Sequence, residues 1–305
     1  MGITRQSIYR GPGRLKLGSL AIDDKDGISL ASNAEMADIG SSLNGFLGAI
    51  RTGTTLTAGL TPYGHITQAL LDALYPAWMR TPVIGSSIFG ATDTACTIHS
   101  RAGKLITLFC AAITKPASLT LSAVATAFGA LEITALLANG KLPGEDGSLI
   151  KVEDSAWTGG TAQPRPQTGS RYSARFGDLD ISETAAGFTA EFPVTTEPVP
   201  SDNAGTLDLT FGGVKPTVRC QPLALSETDI LALLNLNAPR GSYAGSGKDL
   251  TVTGTGGLTL TLRNCDVLQG PLNWGATKLR AGELLFQASP DPETGNVFDI
   301  AFTTT

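Results

Sequence analysis

LITLFCAAITKPASLTLSAVATAFGALEITA, residues 105–135, decides the fold, because the chain repeats its plan as LTLTLRNCDVLQGPLNWGATKLRAGELLFQA, residues 258–288. At an offset of 153, Gly103 falls on Gly256, Leu105 on Leu258, Leu119 on Leu272, Gly129 on Gly282 and Ala135 on Ala288, without a gap. Each stretch opens with apolar, β-rich runs, breaks at a proline (Pro116, Pro271) and resumes as a second pair of runs around a glycine. A repeat of this length is sought first, because a duplicated unit fixes the architecture.

The plan extends backwards in the same order. Gly45 opens FLGAIR, Gly53 turns it and TTLTAGL leads to Pro62; at an offset of 160, Gly205 opens TLDLTF, Gly213 turns it and VKPTVRC leads to Pro222. Ala69, Leu70 and Leu71 match Ala232, Leu233 and Leu234 at 163, and GRLKL at residues 13–17 matches GDLDI at 177–181 at 164. Five blocks in one order indicate two similar domains, 1–138 and 176–305, with the polar, Gly/Pro/Thr-rich residues 139–175 as linker and surface loops.

Within the first copy, alternation predicts a strand over residues 10–22 with Leu15, Leu17 and Leu20 as its apolar members. An irregular piece follows over 27–43, then a hairpin over 46–60 and a helix over 67–75. Leu70, Leu71 and Leu74 form one apolar stripe on that helix. Pro76 ends it, because the residue before a proline avoids the helical region. Further strands are predicted at 94–99, 104–114, 118–126 and 129–138, and a last one at NVFDIAF.

With 305 residues, the chain is long enough for two ordinary domains. Only 16 % of residues are charged and 36 are glycine, which suits short strands joined by tight turns. So lightly charged a surface also fits partial burial in an assembly. A net charge of −5 with no polybasic run lacks the usual footprint of a nucleic-acid binder. No window approaches the roughly 18 consecutive apolar residues that span a bilayer. The N-terminal MGITRQSIYRGPGRL has no apolar core of a secretory signal, and Gln6 stands where a myristoylation signal needs Ser or Thr. The four cysteines are far apart, and Cys110 and Cys265 lie in apolar runs, as buried thiols made in a reducing cytoplasm do.

Catalytic patterns are thin. His65 and His99 are the only two histidines, and no G-x-S-x-G supports a nucleophile. Residues 242–249, SYAGSGKD, resemble a phosphate-binding loop but fail at Ser242, where glycine is required, and at Asp249, where a hydroxyl must hold magnesium. DDKDG at 23–27 resembles a calcium loop, yet its twelfth position is Asn33, so a hairpin turn is expected there. Glu145, Asp146, Glu153 and Asp154 read as a solvated face. Without CxxC or HExxH, no metal, cofactor or catalytic residue is expected, and an enzyme is the losing class. The loop 77–93 is different, for it holds Trp78, Met79, Val83, Ile84, Ile88 and Phe89. That much apolar surface either folds back on its own domain or meets a neighbouring subunit, so these six are candidate interface residues.

Residues 60–135 resemble the tail tube (major tail) proteins of long-tailed bacteriophages. The resemblance rests on Thr61, Pro62 and Gly64 before an alanine-leucine helix, IGSSIFG at 84–90, Ile98, His99, Gly103 and Lys104 around one strand, AITK at 112–115, Leu119 and Leu121, and the closing Phe128 and Gly129. From Gly205 to Gly282 the same pattern returns in weaker form. The resemblance implies a mainly β chain: two β-sandwich or rolled-sheet domains, each with one flanking helix, that build one large ring β-barrel on oligomerisation. Ring closure removes exposed strand edges, and three duplicated chains would form a pseudo-hexameric ring, as against six in a homohexamer.

The implied role is that of a structural virion protein, made in the host cytoplasm, whose stacked rings conduct DNA during ejection. The implied partners are further copies of itself, the tape-measure protein and DNA in the lumen without specific binding, the tail terminator and baseplate or tip proteins, and no membrane. An acidic or neutral lumen would let DNA pass. Asp178 and Asp180 alternate with Leu179 and Ile181, so they are candidate lumen residues, although the first copy has Arg14 and Lys16 there and an ordinary solvent-facing side explains them equally. Two alternatives remain: the tube of a contractile injection or secretion device, and a β-sandwich that binds or decorates. The latter would need exposed aromatics in a groove, whereas Trp78, Trp157 and Trp274 are far apart in sequence.

Overall fold

Gly18 takes a left-handed φ of 59° and folds the first apolar run back on itself, so one predicted strand becomes two, β1 (Gly13–Leu17) and β2 (Leu20–Asp24). The computed structural model describes residues 13–43, 45–89, 96–100, 102–136, 150–157, 171–201, 205–223, 225–233, 247–254, 256–269, 272–274 and 279–303. Asp24 then accepts from the backbone N–H of Asp26 (2.9 Å) and Gly27 (2.7 Å), an Asx-type turn. This turn does not close a hairpin as expected; it carries the chain from one sheet into another.

The piece read as irregular is a strand of thirteen residues, β3 (Ser29–Ser41), and the predicted hairpin at 46–60 is one continuous strand, β4 (Gly45–Leu60), paired antiparallel to it. Gly53 does not turn the chain. It lies opposite Glu35 beside a β-bulge. β5 (Pro62–Tyr63) follows, then α1 (Gln68–Leu74), where expected, and a short α2 (Ala77–Arg80). Thr67 caps α1 by accepting from the Leu70 N–H at 3.1 Å. Leu70, Leu71 and Leu74 are buried beneath it, and the Arg80 guanidinium donates to the Tyr75 carbonyl at 2.8 Å just past its end.

The first half continues with β6 (Cys96–Ser100), β7 (Lys104–Leu108), β8 (Ala111–Lys115), β9 (Leu119–Leu121), β10 (Thr126–Phe128), β11 (Leu131–Ala135) and β12 (Ile150–Asp154). β12 lies inside the segment read as linker and pairs with β7. Two sheets result: β12-β7-β6-β1-β2-β5 and β3-β4-β11-β8.

In the second half come β13 (Tyr172–Phe176), β14 (Leu179–Asp180), β15 (Thr184–Glu191), β16 (Val194–Ser201), β17 (Gly205–Val214), β18 (Thr217–Pro222), α3 (Glu227–Leu233), β19 (Lys248–Gly254), β20 (Leu258–Gln269), β21 (Leu272–Trp274), β22 (Leu279–Ala281), β23 (Leu284–Gln287) and β24 (Phe298–Phe302). β14 pairs β13, β13 pairs β19, β19 pairs β20, and β20 pairs β24; this is the order in which β2, β1, β6, β7 and β12 are joined. β15, β18, β23 and the far end of β20 are likewise joined as β3, β4, β11 and β8 are. The molecule is mainly β, built of antiparallel sheets, none of which closes on itself among the described residues.

The halves share a core. Leu15, Leu71 and Ile133 belong to the same buried cluster as Leu250, Leu260 and Phe286. The Tyr75 ring packs on Phe192 and Phe298 at centroid distances of 4.7 and 6.3 Å, and its hydroxyl donates to the Ala117 carbonyl at 3.0 Å. β9 also crosses over. It pairs with β15, Leu119 opposite Ala190 and Leu121 opposite Phe188, so the β9–β10 hairpin of the first half extends the sheet of the second.

Candidate assembly surface

β3 is a long strand with almost every residue exposed on both faces. A strand normally buries one face, so its sequence alternates; SLASNAEMADIGS has no such alternation because only the base of the hairpin rests on a core. There, Leu56 and Ala58 of β4 are buried. Beyond it Met36, Leu43, Phe46, Leu47 and Ile50 stand 55–91 % exposed, a concentration of apolar side chains that a free monomer seldom shows.

The β16–β17 hairpin has the matching shape. Of the thirteen pairs from Ser29↔Gly59 to Ser41↔Gly45, eleven have counterparts 160 residues on, from Thr189↔Arg219 at the adjoining ends of β15 and β18 to Ser201↔Gly205. Two bulges recur with it: Glu35/Met36 and Ile39/Gly40 correspond to Thr195/Thr196 and Val199/Pro200. The two hairpins touch. The Glu35 carboxylate accepts from the Thr206 backbone N–H at 3.2 Å and from its hydroxyl at 2.8 Å, and Gly53, opposite Glu35, has no side chain to obstruct it.

Edges decide what such hairpins can do. β16 carries Pro198 and Pro200, which lack N–H donors and so blunt its edge. The other edge of β17 is covered by residues 85–88: Gly85 and Ile88 donate to the carbonyls of Phe211 and Leu209 at 2.8 and 3.0 Å. β3 pairs only with β4 among the described residues, and its sequence holds neither proline nor lysine.

Four of the six loop candidates turn inward. Met79, Ile88 and Phe89 are buried, and Trp78 packs edge-on against buried Phe211 at 5.5 Å. Ile88, Phe89, Ala112, Leu136 and Phe211 form a second small core. Val83 and Ile84 alone remain exposed, at 64 and 68 %. Asp178 lies in the turn after β13, and Asp180 ends β14, opposite Arg175. The Ser182 hydroxyl and N–H, the latter at 2.9 Å, hold the Asp180 carboxyl below its ordinary range.

The remaining motif residues have structural partners. Asp249 accepts from the Arg263 guanidinium at 2.7 Å and from the Asn264 N–H at 3.0 Å, and Lys248 lies over the Phe176 ring. Residues 242–246 lie outside the described residues. His99 Nε2 is 3.1 Å from the Ser155 carbonyl, with its ring edge-on to Trp157, and His65 meets Phe302 edge-on at 6.2 Å. Burial pushes the Cys96, Cys220 and Cys265 thiols up to about 12. Among the described residues, no group of three or more His, Cys, Asp or Glu is placed to hold a metal ion, and no helix is long and apolar enough to cross a membrane.

No protein-family model matches the chain, and comparison with curated proteins found no match.

Proposed function

We propose that this chain is the structural subunit of a phage tail tube: two copies of one β domain that assemble, chain to chain, into stacked rings whose lumen conducts DNA. The observation that carries the reading is the recurrence of the long hairpin, eleven of its thirteen residue pairs and both of its bulges, at a constant offset of 160. A bulge is a local insertion whose position sequence similarity between β proteins does not fix, so two in the same places favour duplication over chance likeness.

Under this reading, strand register alters the offsets read from the sequence. β6 to β8 correspond to β19 and β20 at an offset of 154, and β9 to β11 correspond to β21 to β23 at 153, so the 105–135 match contains a one-residue step. Cys110 and Asn264, both with left-handed φ near 45°, fall on each other at 154. GDLDI at 177–181 takes the place of GSLAI at 18–22, not of GRLKL, which moves the offset from 164 to 159. α3 falls on α1 at 159, not 163, bringing buried Ile230 and Leu233 onto buried Leu71 and Leu74.

In a ring, the hairpin face turned away from the core would line the channel. On β3 that face alternates with Leu30, which shares its side with buried Leu56 and Ala58; it carries Glu35, and the matching face of β16 carries Glu197. Carboxylates there suit a conduit that must not retain DNA. This reading adds Glu35 and Glu197 to Asp178 and Asp180 as lumen candidates. Sedimentation over a range of concentrations tests the role. Rings and larger stacks are expected, whereas a protein that stays monomeric and binds glycans would instead be the decorating module.

A further inference from the structure

In the joint between the halves, β9 lies on the edge of β15, with Thr120 opposite Thr189. Shifted by 153, β9–β10 becomes β21–β22; shifted back by 160, residues 188–190 become 28–30 at the start of β3. β21 pairs only with β22, and β3 only with β4, among the described residues. The chain therefore holds both partners of a second such joint, unjoined to each other. Resting on the tube reading, we propose that β21 of one copy pairs with the β3 edge of the next, antiparallel, with Asn273 opposite Ser29, Leu272 opposite Leu30 and Trp274 opposite Ile28.

A glycine supports this independently of strand counting. Gly187 has φ +83°, and a Cβ there would lie 2.2 Å from the Leu121 carbonyl oxygen and 2.9 Å from Ser122 Cα, so the close approach of the β9–β10 hairpin requires glycine. Its counterpart at an offset of 160 is Gly27, with φ +101° and nothing within 4 Å of the same position. The backbone that admits the hairpin in one half is thus present, and open, in the other. The edge itself argues for an occupant too: it is long, exposed and without the prolines that blunt β16, and unprotected edges of this kind pair with another chain. The contact is heterologous, so repetition of it gives a closed ring or an open helix.

Cross-linking tests the joint. Ser29→Cys and Asn273→Cys are made as separate full-length variants, mixed under assembly conditions and treated with a short bis-maleimide, and linked peptides are identified by mass spectrometry. Thr120→Cys with Thr189→Cys in one chain is the control, which must link internally. The expected result is a 29–273 link between copies in the mixture, and a ladder of linked chains when both substitutions share a chain. Rings seen in micrographs without that link would overturn this joint and leave the tube reading standing. No link and no association at the highest soluble concentration would overturn both.

Discussion

A methyl group at Gly187 would collide with the β9–β10 backbone, which cannot move aside as a flexible side chain can. Gly187→Ala should therefore destabilise the chain by more than about 1 kcal/mol in urea unfolding and speed amide exchange in β9. Tyr75→Phe removes the donor to the Ala117 carbonyl in a fully buried setting and should cost about 1–3 kcal/mol. The thiols give a pH prediction. Burial raises Cys96, Cys220 and Cys265 from 9.0 to about 12, so the folded chain keeps protons that the unfolded chain releases. Their contribution is intact below pH 9 and is lost as pH rises toward 12. A disulfide reagent at pH 8 should leave all three unmodified until the protein unfolds.

At the scale of elements, legibility followed burial. α1 and β24 each bury one side, and their sequences announce it through a leucine stripe and the alternation of FDIAF. β3 was illegible because solvent reaches both of its faces, leaving no period to read. Gly53 read as a turn, since a bulge and a turn use the same residue; only the partner strand distinguishes them. Under the proposed duplication, the helix match shifts by four residues, because a shift of about one turn restores the same apolar face. β12, IKVED, lay in the presumed linker because an exposed edge strand of mostly charged residues resembles a loop. The interface loop was half legible: its apolar residues were visible, but the choice between own core and neighbour depended on Phe211, far along the chain. Amide exchange follows from this picture. The outer pairs of β3–β4, from Met36↔Arg51 to Ser41↔Gly45, should exchange rapidly in the monomer and become protected on assembly.

On the scale of the whole molecule, the proposed duplication accounts for one joint within the chain, β9 on β15, and for two unjoined counterparts, β21 and the edge of β3. If the proposed tube role holds, the net charge of −5 and the carboxylates on the outward hairpin faces suit passage of DNA rather than capture. Mobility-shift assays at physiological salt should therefore show no retained duplex. The most direct measurement is electron microscopy of the concentrated protein, with rotational symmetry read from end-on views. Three chains showing six similar lobes around a central channel are predicted. Particles without a channel, or rings whose lobes cannot be superposed in alternating pairs, would contradict the duplicated tube subunit.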